Sequence, residues 1–83
     1  MKIVIKYFAS IRETVGSGEE VVATQAATLK ALRDELIARG GPHAQALARG
    51  RVVRVALNQR MSGEDTALRD GCEVAFFPPV TGG

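Results

Sequence analysis

Only one stretch of this sequence has a clear helical period, and it is short. Leu29, Leu32, Leu36 and Ile37 recur at helical spacing and make an apolar stripe. Thr28 stands before them as an N-cap. Gly40 and Gly41 supply a left-handed stop, and Pro42 is read as preventing continuation. The spacing therefore predicts a helix over Leu29–Arg39. A helix with one apolar side must bury it against another layer, and most of the remaining chain is strand-like.

Lys2 to Phe8 alternates, with Ile3, Ile5 and Tyr7 on one face and Lys2, Val4, Lys6 and Phe8 on the other. "ASIRETVGSG" carries a short helical turn from Ser10 that ends at Gly16 and Gly18. Glu19–Thr24 reads as a second strand, paired with the first through that long connection. "HAQALAR" suggests a second short helix, and Arg51–Gln59 is β-branched and strand-like. "SGEDTALRDG" is turn chemistry, with Asp70 setting the geometry and Gly71 accepting positive φ, before a last strand "CEVAFF". The order β-β-α-β-β predicts an α+β protein with a mixed sheet and one main helix on one face, the β-grasp arrangement of ubiquitin. At 83 residues and 46% hydrophobic content, the chain supports a single core. It is expected to be one domain over 1–83, with 78–83 as an extended C-terminal tail.

The strand phase leaves a problem. If Val74 and Phe76 join Ile3 and Ile5 under the helix, then Phe77, Phe8 and Val4 point away from it. One helix cannot cover both faces, so these residues suggest a partner surface. The alternatives are a loop folded over them or a register slipped by one residue. Burying a phenylalanine contributes about 1.5–3 kcal/mol, which makes Phe77 a candidate anchor.

Charge and composition narrow the function. Eleven basic residues against nine acidic ones give a net charge of +2, without a tight basic cluster or interleaved aromatics. Nucleic acid is therefore not an expected partner. The single cysteine excludes an internal disulfide framework and a Cys-rich metal site. No apolar run approaches a membrane span and "MKIVIKYF" lacks a cleavable signal pattern, so the expected address is the cytoplasm. Neither a nucleophile–base pair, nor a phosphate-cradling glycine loop, nor paired His ligands can be found. Cys72 is read as a small packing residue, and His43 and the Asp34–Glu35 pair as surface side chains.

Chemistry concentrates at the end, "FFPPVTGG". Pro78 and Pro79 cannot donate to a sheet ladder, so the strand stops there and the backbone leaves extended. The six residues from Pro78 to Gly83 reach roughly 20 Å. Gly82 and Gly83 carry no side chain, so such an end can thread a passage that any Cβ would obstruct. At its tip is an α-carboxylate, which is a poor electrophile until coupled to AMP. A sulfur nucleophile could then convert it to a thiocarboxylate.

In "YFASIRETVG", "TLKALRDEL", "ALNQ" and above all "LRDGCEVAFFPPVTGG", the chain resembles the small-subunit family of molybdopterin synthase, the MoaD-type sulfur carriers. The resemblance spans the whole chain and implies a ubiquitin-like fold. It implies a non-catalytic, sulfur-donating subunit whose Gly83 is adenylated by an E1-like, ATP-consuming adenylyltransferase and then thiocarboxylated. No permanently bound cofactor or metal is implied. The loaded tail, with Gly82 threading, would enter the large synthase subunit and give sulfur to a cyclic pyranopterin monophosphate, in a complex of two small and two large chains. Phe77 matches a family position that packs on the large subunit. Phe8, Pro78, Pro79 and Val80 are the other expected partner contacts. Cys72 departs from the acidic residue common at that position. A carrier for another pathway, of the thiamine type, and a ubiquitin-like protein modifier remain the alternatives.

Overall fold

The alternating apolar residues near the N-terminus form β1 (Lys2–Tyr7), at the heart of a computed structural model that describes residues 1–79. β1 pairs antiparallel with β2 (Glu19–Ala23) and parallel with β5 (Glu73–Phe77). β3 (Arg54–Leu57) joins the other side of β5 antiparallel, and the two-residue β4 (Arg60–Met61) follows. The sheet order is β2-β1-β5-β3-β4, so the last strand in sequence is the central one in space.

Three helices, α1 (Ala9–Val15), α2 (Leu29–Ala38) and α3 (Gly41–Leu47), bury their apolar sides in one core. Ile3, Ile5, Val74 and Phe76 meet Leu29, Leu32, Leu36 and Leu47 there, all fully buried. Each such side chain contributes about 1.5–3 kcal/mol. The expected strand phase is therefore the observed one. Ile11 of α1 adds to the same cluster.

The start of α2 shows what the segment between β4 and β5 does. Thr28 Oγ1 accepts from the Ala31 N–H at 3.1 Å, the predicted cap. The Leu29 and Lys30 N–H groups donate to the Thr66 and Glu64 carbonyls at 3.1 and 2.7 Å. A stretch legible in sequence only as turn chemistry thus satisfies the first-turn donors that a helix leaves open. Leu68 is buried beside it, and its N–H donates to Ala27 O at 2.9 Å.

Several boundaries differ from expectation, among them the start of β3, at Arg54 and not Arg51. The first helix begins at Ala9, and α2 ends at Ala38. Gly40 and Gly41 do take positive φ, 75° and 57°, but Pro42 does not bar a helix. It sits in the first turn of α3, where its missing N–H has no intrahelical partner to lose, and α3 ends at Leu47. The strand expected to reach Gln59 stops at Leu57, because Asn58 and Gln59 take φ of 49° and 70° and form a two-residue hairpin turn into β4. Asn58 is tied down there: its N–H donates to Glu73 O at 2.8 Å, and its Oδ1 accepts from the Glu73 N–H at 2.9 Å.

Candidate functional site: the uncovered face and the root of the tail

All three helices feed one core, so the opposite sheet face carries the outward side chains of every strand. Phe8 is 46% exposed and meets Phe77 edge-on, with ring centroids 6.3 Å apart and planes at 83°. Val21, opposite Val4 in the β1–β2 register, and Met61 are also exposed on this side. Between them, the paired Ala75 and Ala56 carry only methyl groups and are themselves buried by their neighbours. Lys6 Nζ lies 3.3 Å from Glu73 Oε1 and 3.9 Å from Glu19 Oε1. Lys6 is thus shared between the two acids of this face, one positive charge against two negative ones, and such partly exposed pairs stabilise little. Phe8, Phe77 and Val4 thus occupy the face expected of them, without a loop folded across Phe8.

The tail leaves from the centre of the sheet. Phe77 is still paired with Arg54 of β3, and on the other side the Phe8 N–H donates to Phe76 O at 3.1 Å. Pro78, half-buried, and Pro79, exposed, end the ladder. Together with Ile11, Arg51, Val52 and Val53 they line an open groove beside α1. Val80, Thr81, Gly82 and Gly83 lie outside the described residues, so the expected threading and carboxylate chemistry has no described geometry.

Two polar clusters were not foreseen. Arg33, 3% exposed, donates from Nε to Leu47 O at 2.8 Å and from one guanidinium nitrogen to Glu64 at 2.8 Å. Its other nitrogen donates to Ala48 O at 2.9 Å and Arg51 O at 3.1 Å. It clamps the segment between α3 and β3 to α2. The helical period did mark it, because positions 29, 32, 33 and 36 form one i, i+3, i+4, i+7 stripe. Arg49, in turn, hydrogen-bonds Asp34 and Glu64. Burial would raise the Glu64 carboxyl, but hydrogen bonds from Arg49 and Arg33 hold it below its usual range.

The second cluster gathers on Glu20. Its carboxylate accepts from the Tyr7 hydroxyl at 2.8 Å and from Arg39 at 2.8 Å, and lies 3.0 Å from His43 Nε2. His43 is thus half-buried against Tyr7, ring centroids 5.9 Å apart, and is not a free surface side chain. Burial would push the Glu20 carboxyl up, yet hydrogen bonds from Arg39, His43 and Tyr7 bring it to about 2. Burial, followed by the bond to Glu20, pushes the Tyr7 hydroxyl far above its ordinary value. Arg39 and His43 tie Glu20 of β2 to the α2–α3 corner, and the Tyr7 hydroxyl of β1, a neutral donor locked on the ionised carboxylate, is poor proton-transfer machinery. No local pattern announces it, since Tyr7, Glu20 and His43 are far apart in sequence.

Among the described residues, no group of three His, Cys, Asp or Glu side chains could hold a metal ion, and no helix is long and apolar enough to cross a membrane. Among the described residues, the open face and the Pro78-Pro79 extension of β5 stand out as features with no part in the core.

A mixed sheet of this order, with the main helix across one face, defines a ubiquitin-like β-grasp domain. A sequence model of the ThiS family matches residues 5–83, and the chain belongs to that family. It is 44% identical over 81 residues to the molybdopterin synthase sulfur carrier subunit of Escherichia coli (strain K12), covering 98% of this chain and 99% of that one. Among solved structures, small archaeal modifier protein 1 from Haloferax volcanii superposes with a TM-score of 0.79 at 27% identity, covering both chains fully. A chain in the protein–protein complex of subunits 1 and 2 of molybdopterin-converting factor from Helicobacter pylori 26695 superposes with a TM-score of 0.70 at 26% identity, again over both full lengths.

Proposed function

We propose that this chain is a sulfur carrier of molybdenum cofactor biosynthesis, the small subunit of a molybdopterin synthase. The observation that carries the reading is the placement of β5. It is the central strand, it stops at Phe77, and Pro78-Pro79 follow it, with Gly82-Gly83 further along the sequence. The likeness to the Escherichia coli carrier subunit and to the Helicobacter pylori complex supports the pathway and a large-subunit partner.

In this reading the Gly83 carboxylate attacks the α-phosphorus of ATP on an E1-like adenylyltransferase and expels pyrophosphate. A sulfide-equivalent nucleophile then displaces AMP, leaving a terminal thiocarboxylate. Phe77 and Phe8 seat the domain on the large subunit while Pro78, Pro79 and Val80 lead the end inward. There the sulfur passes to the cyclic pyranopterin precursor, water restores the carboxylate, and the carrier leaves to be reloaded. The chain supplies grip and cargo, and the partner supplies the catalytic groups.

The test is an intact mass after incubation with the activating enzyme, ATP and a sulfur source. Replacement of one oxygen by sulfur, mapped to Gly83, is the expected result, and loss of this gain on deleting Gly83 accompanies it. No mass change with an activating enzyme competent on another carrier refutes the reading. The likeness to small archaeal modifier protein 1 favours one alternative, a modifier joined to lysines through the same activated end, and conjugates in the reaction would select it.

A further inference from the structure

We infer that Arg51 and Arg54 form a cationic collar around the root of the tail, and that it docks against carboxylates at the mouth of the large subunit's tail passage. This rests on the carrier reading above. Arg54 is exposed and lies directly across from Phe77 in the β3–β5 register. Arg51 is exposed and lines the groove that holds Pro78 and Pro79. Among the described residues, neither guanidinium has a hydrogen bond or an ion pair. The ion pairs of Glu19 and Glu73, the acids of the uncovered face, are with Lys6 and with neither arginine.

A surface that docks over Phe77 must also strip water from Arg54, and a desolvated guanidinium without an acceptor is strongly unfavourable. A partner that seats on the tail root therefore has to bring acceptors, and carboxylates answer a pair of cations best. Arg51 is also held in place beforehand. Its N–H donates to Ala48 O at 2.9 Å, and its carbonyl accepts from the buried Arg33 at 3.1 Å. A fixed backbone lowers the ordering cost on binding.

The experiment titrates the full-length carrier against the large synthase subunit encoded in the same genome, by stopped flow and calorimetry, at about 50 and 300 mM salt. The Arg51→Glu/Arg54→Glu pair is expected to weaken binding at least tenfold at low salt, mainly through slower association, with the gap narrowing at high salt. Arg51→Gln/Arg54→Gln should lie between it and the parent, and Lys30→Glu, on exposed α2 surface, should match the parent. Thermal melts confirm that each variant is folded. Phe77→Ala separates the two failures. If it weakens binding while both arginine pairs stay within twofold of the parent, the collar is wrong and the carrier reading stands. If Phe77→Ala changes nothing, docking on this face is wrong, and the collar falls with it.

Discussion

Replacing Arg33 by methionine keeps the aliphatic stem and removes the guanidinium, which isolates what the clamp contributes. The side chain is 4% exposed and makes four hydrogen bonds, to Leu47, Ala48 and Arg51 carbonyls and to Glu64. The Leu47 carbonyl belongs to a fully buried residue, and leaving it unpaired costs about 1–3 kcal/mol. The Ala48 and Arg51 carbonyls border exposed chain and can recruit water, so each loses about 0.5–1 kcal/mol. Glu64 keeps Arg49 and loses about 1 kcal/mol. The sum, about 3–6 kcal/mol, brackets the loss of about 3–5 kcal/mol usual when one partner of a buried ionic contact is removed. Against a total stability of about 4–12 kcal/mol for a domain this size, that is a large share, worth a fall in Tm of at least about 12 °C. Urea unfolding followed by circular dichroism reads it directly. Arg49→Met, whose side chain is 41% exposed, is the control and should cost no more than about 1 kcal/mol. A loss below about 1 kcal/mol for Arg33→Met, with an unchanged m-value, would show that the clamp is decorative.

Glu20 predicts an acid-side loss of stability. Its carboxyl is depressed from 4.5 to about 2 in the folded chain, so its contribution is complete above 4.5 and disappears as pH falls toward 2. Discounted for its partial exposure, this amounts to about 1–2 kcal/mol, and Glu20→Gln should flatten that part of the stability profile; an unchanged slope counts against the cluster. Phe77→Ala should lower affinity for the large subunit about 10- to 100-fold, from about 1.5–3 kcal/mol of lost burial, while Tm moves little. A large Tm loss with unaltered affinity would instead make Phe77 a core residue. Cys72→Ser should leave sulfur loading intact and cost about 1 kcal/mol, because the side chain is 5% exposed. A folded variant that cannot be loaded would give the thiol a chemical role.

What was legible in the sequence follows from how local each determinant is. The alternation in Lys2–Phe8 and "CEVAFF" set the strand phase without help from partners, and that phase placed Phe8, Phe77 and Val4 on the open face. Thr28 declared its cap because capping acts within three residues. Asn58-Gln59 did not declare their turn, since glutamine rarely takes positive φ and the bonds that hold Asn58 there come from Glu73. Arg33 was missed for another reason: its helical position pointed inward while its charge pointed outward. The period was the better guide, because Glu64 and three carbonyls wait inside for it. The Glu20 cluster joins three distant segments, so only the fold could show it.

The central position of β5 bears on why a carrier would be built this way. A tail that left an edge strand would have its root bonded on one side only, and fraying there would let the reactive end wander. Here the last paired residues are held from both sides, by Phe8 on β1's continuation and by Arg54 on β3, up to the residue before Pro78. The two prolines then remove the donors that would let the ladder continue into the tail. The ladder thus stops at Phe77, between a strand end bonded on both sides and two prolines that cannot donate to the sheet. Substituting Pro78 by valine restores one donor at that junction. It should extend protection from hydrogen exchange past Phe77 and slow sulfur transfer with little change in Tm. Unchanged transfer with extended protection would show that the sharp boundary has no functional value.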